Sequence, residues 1–222
     1  MRIALLGGTG DIGGGLALRW AYDTNHHVIV GSRDAGKAER KAEEYRTELE
    51  SRGVDADITG HDNRDAAAAT SVVVLAIPPY HVGDTVEEIA DVLDDGDVLV
   101  SPATGMKRDD DGFHYHKPGA GSVTRIVADA APDRVDVVGA FHNLAAARLS
   151  NLDADLGVDT LVIADDEDAK RTVTDLAEGI EGLRALDAGG LANAPEIEAL
   201  TPLLINVAQH NEGLHDLGVE FK

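Results

Sequence analysis

At 222 residues and 43% hydrophobic content, the chain can bury the core of one α/β domain with extra elements, or of one domain and a small lobe. Its formal charge of -22 repels nucleic acid and anionic membrane surfaces, and the absence of cysteine excludes disulfides, thiolate catalysis and cysteine-ligated metals. No apolar run approaches a membrane span and the N-terminus has no signal-peptide pattern, so a cytoplasmic protein is expected.

The chain opens on Ile3–Leu6, which reads as a strand buried on both faces. A G-x-G-x-x-G follows at Gly8, Gly10 and Gly13, and Leu16 to Ala21 continue as a helix. In such a motif Gly8 allows a tight turn, Gly10 a close approach to a pyrophosphate, and Gly13 the packing of helix on strand. The free N–H groups at the helix start face the phosphate. A dinucleotide site is therefore expected.

The second strand, Val28–Val30, leads into Gly31-Ser32-Arg33, where an NAD enzyme usually carries an acidic residue for the ribose 2′-hydroxyl. Ser32, Arg33 and Lys37 instead form a hydroxyl and two cations suited to a 2′-phosphate, which favours NADP. The alternative leaves the cations on a helix surface and lets Asp34 read an NAD ribose. Arg33 to Leu49 is the clearest helix, Ile58 marks a short third strand, and Val72–Ile77 reads as a fourth without polar interruption. Its end, Ala76, Ile77 and Pro78, is expected beneath the ribose and nicotinamide.

Further strands are read at Val98–Val100, Val135–Gly139, Leu161–Ile163 and Leu183–Leu186, and Asp109 to Asp111 as a solvated loop. Alternation of apolar strands with helices predicts a Rossmann-type, doubly wound, mostly parallel sheet of about eight strands over residues 1–190. Residues 191–222 read as a small helical C-terminal lobe rather than an independent domain. No metal site is expected, because His114 with His116, and His210 with His215, have no third ligand at helical spacing.

Over nearly its whole length the sequence resembles the archaeal and actinobacterial NADPH-dependent reductases of coenzyme F420, an 8-hydroxy-5-deazaflavin. The resemblance is carried by Ala4 to Gly10 with Gly13, Gly15 to Arg19, Gly31-Ser32-Arg33 with Lys37, Ile58-Thr59-Gly60, and Ile77-Pro78 with His81. It continues through Ala145 to Arg148, Asn151-Leu152, Gly182-Leu183-Arg184, Leu186 to Gly189, Leu200 to Leu203, and the tail Glu212 to Phe221. It implies direct hydride transfer between NADP(H) and F420, a reaction that needs alignment more than acid–base groups. It further implies Thr9, Gly10, Asp11 and Ile12 on the pyrophosphate, Ser32, Arg33 and Lys37 on the 2′-phosphate, and His142 and Thr201 facing the deazaflavin, with the C-terminal lobe completing its pocket. For His142 a buried structural role is the alternative. The sequence departs from the family pattern at Pro79, Asn143, Pro195 and Ala199.

Other readings fare less well. A short-chain dehydrogenase needs Tyr-x-x-x-Lys, whereas Tyr22, Tyr45, Tyr80 and Tyr115 are followed four residues later by His26, Leu49, Asp84 and Gly119. Imine reductases such as those of pyrroline carboxylate carry a longer helical segment than this C-terminus. A sensor module that binds NADP without turnover is the non-enzymatic alternative. The apolar tail is expected to pair two subunits as a homodimer, with small-molecule redox coenzymes as the remaining partners. An excess of 41 Asp and Glu over 19 Lys and Arg is best tolerated where salt screens it, so a halophilic archaeon is the expected source.

Overall fold

The structure is a computed structural model describing residues 1–222. Ten strands run in chain order: β1 (Arg2–Leu6), β2 (His27–Ser32), β3 (Ile58–Asp62), β4 (Val72–Leu75), β5 (Val98–Ser101), β6 (Met106–Asp109), β7 (Gly112–Tyr115), β8 (Asp136–Gly139), β9 (Val158–Ala164) and β10 (Leu183–Asp187). Nine α-helices accompany them: α1 (Asp11–Asp23), α2 (Ala35–Ser51), α3 (Asn63–Ala68), α4 (Val82–Ile89), α5 (Val123–Ala130), α6 (Ala146–Ser150), α7 (Glu167–Glu178), α8 (Ala194–Glu198) and α9 (Leu200–His210).

Eight strands form one sheet in the order β10-β9-β8-β5-β4-β1-β2-β3. The valine, isoleucine and leucine runs of β1, β2, β4 and β5 are buried because helices cover both faces. One face packs α1, α2, α6 and α7 through residues such as Leu16, Trp20, Leu49, Leu149 and Val173. The other packs α3, α4 and α5 through Ala66, Val86, Ile89 and Val127. Strand order reverses between β1 and β4, the switch point at whose carboxyl edge ligands bind in such sheets.

Two local expectations are corrected. The stretch Val72–Ile77 leaves the sheet after Leu75, and Pro79 opens a single 3-10 turn to His81. Proline supplies no N–H for a ladder, so the chain turns away over the carboxyl edge. The acidic run is not an irregular loop: Asp110 and Asp111 form the two-residue turn of the β6–β7 hairpin. Gly112, at φ +122°, supplies the positive-φ residue directly after the two aspartates, where the chain re-enters the ladder. The hairpin stands against α9, where the Asn206 amide accepts from Phe113 N–H and donates to its carbonyl.

The direction of β9 has consequences at the site. β9 pairs antiparallel with β8, Gly139 opposite Ile163, while β10 runs parallel to β9. The beginnings of β9 and β10 therefore lie at the edge where β1, β4, β5 and β8 end. Residues 191–222 supply α8, α9 and an extended tail, of which Ala194 and Ile197 pack with Ile163.

Candidate active site

Two cavities open at the carboxyl edge, one on each side of the α1 N-terminus. The first, of about 510 Å³, is lined by Thr9, Gly10, Ser32, Arg33, Lys37, Ala76, Ile77 and Pro78, together with Gly7, Asn63, Tyr80, His81, Asp84, Thr85 and Glu88. Its floor is the β1–α1 turn. Gly7, not Gly8, carries the left-handed conformation, φ +81°, and a Cβ there would collide with the Ala76 carbonyl. A Cβ at Gly13 would come within 2.6 Å of the Gly7 carbonyl, so this glycine lets α1 start directly against the strand end. Tyr45 of α2 donates to the Gly8 carbonyl at 2.9 Å and fixes the turn; burial pushes its hydroxyl up to about 12.

The N-cap of α1 is Gly10, which has no side chain to satisfy the helix amides. Within the protein, the N–H groups of Thr9, Asp11, Ile12 and Gly13 donate to nothing. Four free amides at a helix N-terminus form an anion cradle and fit a pyrophosphate. The Asp11 side chain turns the other way, into the second cavity, and Ile12 packs against the core.

The rim nearest β2 is cationic. Neither Arg33 nor Lys37 is in an ion pair, and both line the cavity; further along α2, Lys41 and Arg46 have acidic partners. Asp34 is committed elsewhere: its carboxylate caps α2 by accepting from Lys37 N–H at 3.0 Å, and it does not line the cavity. The Ser32 hydroxyl oxygen accepts from Asp34 N–H at 3.2 Å, which leaves its proton free to donate to an anion. A hydroxyl and two unpaired cations fit a 2′-phosphate, and Asp34 is not placed to bind an NAD ribose.

The second cavity, of about 700 Å³, lies between the segment Asn143–Ser150, helix α9 and the tail residues Leu214–Leu217. Leu144, Ala145, Leu204, Ile205, Ala208 and Leu217 give it mainly apolar walls, as a flat ring system requires. Buried Arg19 of α1 braces the segment behind one wall by donating to the carbonyls of Arg148, Leu149, Asn151 and Ala154, of which only that of Asn151 has another donor, Ala154 N–H.

Thr201 lines this cavity and donates to the His142 carbonyl at 2.7 Å, with Thr104 Oγ1 at 3.2 Å. The His142 ring does not face the cavity as expected; it points into the core. Its Nε2 lies 3.3 Å from Thr124 Oγ1. The Thr124 hydroxyl is within 3.0 Å of Glu198 Oε1, a fully buried carboxylate that also accepts from Val123 N–H, Thr124 N–H and the Tyr115 hydroxyl. With the threonine proton on Glu198, His142 donates from Nε2 and its Nδ1 is left without a partner. Burial pushes the imidazole down to about 3, so it stays neutral. Burial also raises the Glu198 carboxyl, against the pull of its four donors.

Some site residues have no signal in the sequence: Tyr80, Asp84 and Glu88 fall on a 3-10 turn and on α4, where their spacing reads as ordinary helix surface. Asn143, which the sequence marked only as a departure from the family pattern, lines the second cavity from the segment after β8, and the tail supplies Leu214 to Leu217.

A protein of Methanocaldococcus jannaschii named F420-dependent NADP reductase is 41% identical over 209 residues, covering 93% of this chain and 92% of that protein. The chain belongs to the F420-dependent NADP reductase family. The family model described as NADP oxidoreductase coenzyme F420-dependent matches residues 2–105. A second member, from Methanothermobacter thermautotrophicus, is 39% identical, covering 95% of this chain and 90% of its own length. A crystal structure from Arthrobacter sp. FB24, described as a candidate F420-dependent NADP-reductase, superposes with TM-score 0.81 over 100% of this chain and 99% of that chain. At 22% identity that likeness concerns the fold. A pyrroline-5-carboxylate reductase of Coxiella burnetii shares the fold more distantly, with TM-score 0.60 and 19% identity, over 96% of this chain but only 72% of its own.

Proposed function

We propose that this member of the family transfers a hydride between NADP(H) and coenzyme F420, in either direction. The observation that carries the reading is the pair of cavities on opposite sides of the α1 N-terminus: Gly10 lines the polar one and Asp11 the apolar one. The free amides of Thr9, Asp11, Ile12 and Gly13 would hold the pyrophosphate of NADP, and Ser32, Arg33 and Lys37 its 2′-phosphate. Ala76, Ile77 and Pro78 would support the ribose and nicotinamide. The apolar cavity between Asn143–Ser150 and α9 would take the deazaflavin, with Thr201 on its wall.

When bound, the two coenzymes supply a carbon hydride donor and a carbon acceptor. What the chain contributes is placement and exclusion of water. His142, neutral and turned inward, supports the wall through its carbonyl rather than meeting the ring system. Family membership favours an enzyme over a sensor that binds NADP without turnover.

Mixing the purified protein with NADPH and oxidised F420 and following loss of the deazaflavin absorbance tests the reading. Turnover is expected; NADPH binding without turnover would return the sensor to favour. We also propose a cytoplasmic homodimer. No helix is long and apolar enough to cross a membrane, and α9 leaves Leu203 55% and Val207 37% exposed on the side away from the cavity-lining Leu204 and Ala208. Sedimentation of the wild type and of Leu203→Lys tests the dimer, which the charge should dissociate.

A further inference from the structure

Asp159 is the second residue of β9 and almost wholly buried, at 1% exposure. Every polar group it has is engaged. Its backbone N–H donates to the Val219 carbonyl at 2.7 Å, in a one-residue antiparallel bridge. Its carbonyl accepts from Asn143 Nδ2 at 2.7 Å. Its carboxylate accepts from both Nε and Nη2 of Arg184, each at 2.7 Å, and from Phe221 N–H at 2.6 Å. Arg184 also donates to the Phe221 carbonyl at 2.6 Å.

Two walls of the apolar cavity thus end on one residue. Asn143 lines that cavity, and so do Leu214 to Leu217, which immediately precede the tied segment Gly218–Phe221. The tail cannot shift sideways at Gly218, where a Cβ would collide with Val158. Only the reversal of β9 brings these groups to the cavity edge; a parallel β9 would start at the opposite end of the sheet.

We infer that Asp159 and Arg184 are positioning residues for the deazaflavin cavity: they latch the C-terminal tail so that residues 214–217 stand as its wall. The inference rests on the proposed function of that cavity. The latch touches nothing in the NADP cavity, so its loss should be felt by one substrate only. The Arg184 guanidinium holds the Asp159 carboxyl below the usual carboxylate range, which keeps it an acceptor for the tail.

The test is steady-state kinetics with F420 and NADPH varied in turn. Phe221→Pro removes one backbone donor at a half-exposed position and leaves the core untouched. It should raise the KM for F420 about tenfold, the equivalent of ~1.4 kcal/mol, with the KM for NADPH within about twofold. Phe221→Ala, which keeps the N–H, should restore the F420 value. Asp159→Asn should show the same one-sided shift and, if it folds poorly, Phe221→Pro still decides. An unchanged F420 KM in Phe221→Pro, or equal shifts for both substrates, overturns the latch while leaving the proposed function intact. A wild type that binds NADPH but never turns over F420 overturns both.

Discussion

Arg33 and Lys37 are cations without partners in a chain of net charge -22. Position sets them apart from other unpaired cations such as Arg40 and Arg108: Arg33 and Lys37 both stand with Ser32 on the rim of the first cavity, as a demand other than folding would place them. A 2′-phosphate is such a demand, since its oxygens accept the planar fork of arginine in a way that Lys or a neutral residue cannot reproduce. Arg33→Ala is expected to raise the KM for NADPH by roughly tenfold to a hundredfold, ~1.5–3 kcal/mol of a charge-assisted contact. The KM for F420 should move by less than about twofold, and equal effects on both coenzymes would refute the assignment. The glycines were legible as a dinucleotide motif, and Gly8 does sit in the tight turn, but the part played by Gly7 was hidden, because its crowding against Ala76 depends on a distant strand. For His142 the sequence left two readings open, facing the deazaflavin or buried in a structural role, and the side chain is buried. Its ring is neutral at pH 7 because burial lowers it from 6.5 to about 3, so the unfolded chain takes up a proton that the folded chain refuses. Stability from this residue is complete above pH 6.5 and falls with acidification between those values, by up to ~1.4 kcal/mol per pH unit. Urea midpoints for the wild type and His142→Gln between pH 7.5 and 5 should therefore converge as pH falls. Parallel curves would mean that the ring is reached by solvent.

At the scale of elements, the six inner strands of the main sheet are each foreshadowed by an apolar run, because burial on both faces leaves few polar positions to blur them, whereas the edge strands β3 and β10 are partly exposed and mix polar residues in. The direction of a strand leaves no such trace. Leu161–Ile163 reads identically in either orientation, and only the pairing of Gly139 with Ile163 reveals that β9 is reversed. The hairpin β6–β7 lacked apolar alternation, its first strand being exposed throughout. Helix α6 is a different case. It has five residues, too few to be stable alone, and is held by Arg19 reaching across from α1. The family motifs at Gly15 to Arg19 and Ala145 to Leu152 are thus two halves of one contact. Gly15 is part of it, since a Cβ there would meet Leu149 Cβ at 2.6 Å. Arg19→Met keeps the aliphatic stem and removes a donor from four carbonyls, three of which have no other. It should destabilise the protein by about 3 kcal/mol, several carbonyls being able to recover water at the surface. Chemical denaturation measures this, and a cost below ~1 kcal/mol would mean that α6 is held by packing alone.

The charge of the whole molecule bears on its stability rather than on its fold. With 41 carboxylic residues against 19 Lys and Arg, carboxylates outnumber cations about two to one, and most of them have no Lys or Arg within salt-bridge distance. Several of the ion pairs that do form are short-range pairs within one helix, such as Lys41 with Glu44 and Arg171 with Asp168, which relieve their own element and little else. The remaining repulsion acts over distances comparable to the screening length, about 10 Å at 0.1 M salt and about 3 Å at 1 M. Raising potassium chloride from 0.1 to 2 M should therefore increase Tm by roughly 5–10 °C, taking ~2–4 °C per kcal/mol for a chain of this size. The shape of the curve separates screening from other salt effects. Screening saturates near 1 M, where the screening length falls below the spacing of neighbouring carboxylates. Strengthened apolar burial by excluded ions continues to rise with concentration. A Tm that climbs steeply and then flattens points to a chain built for a salt-rich interior. A flat curve would make the acidity incidental, because it would show that unpaired carboxylates repel one another no more in the folded protein than in the unfolded chain.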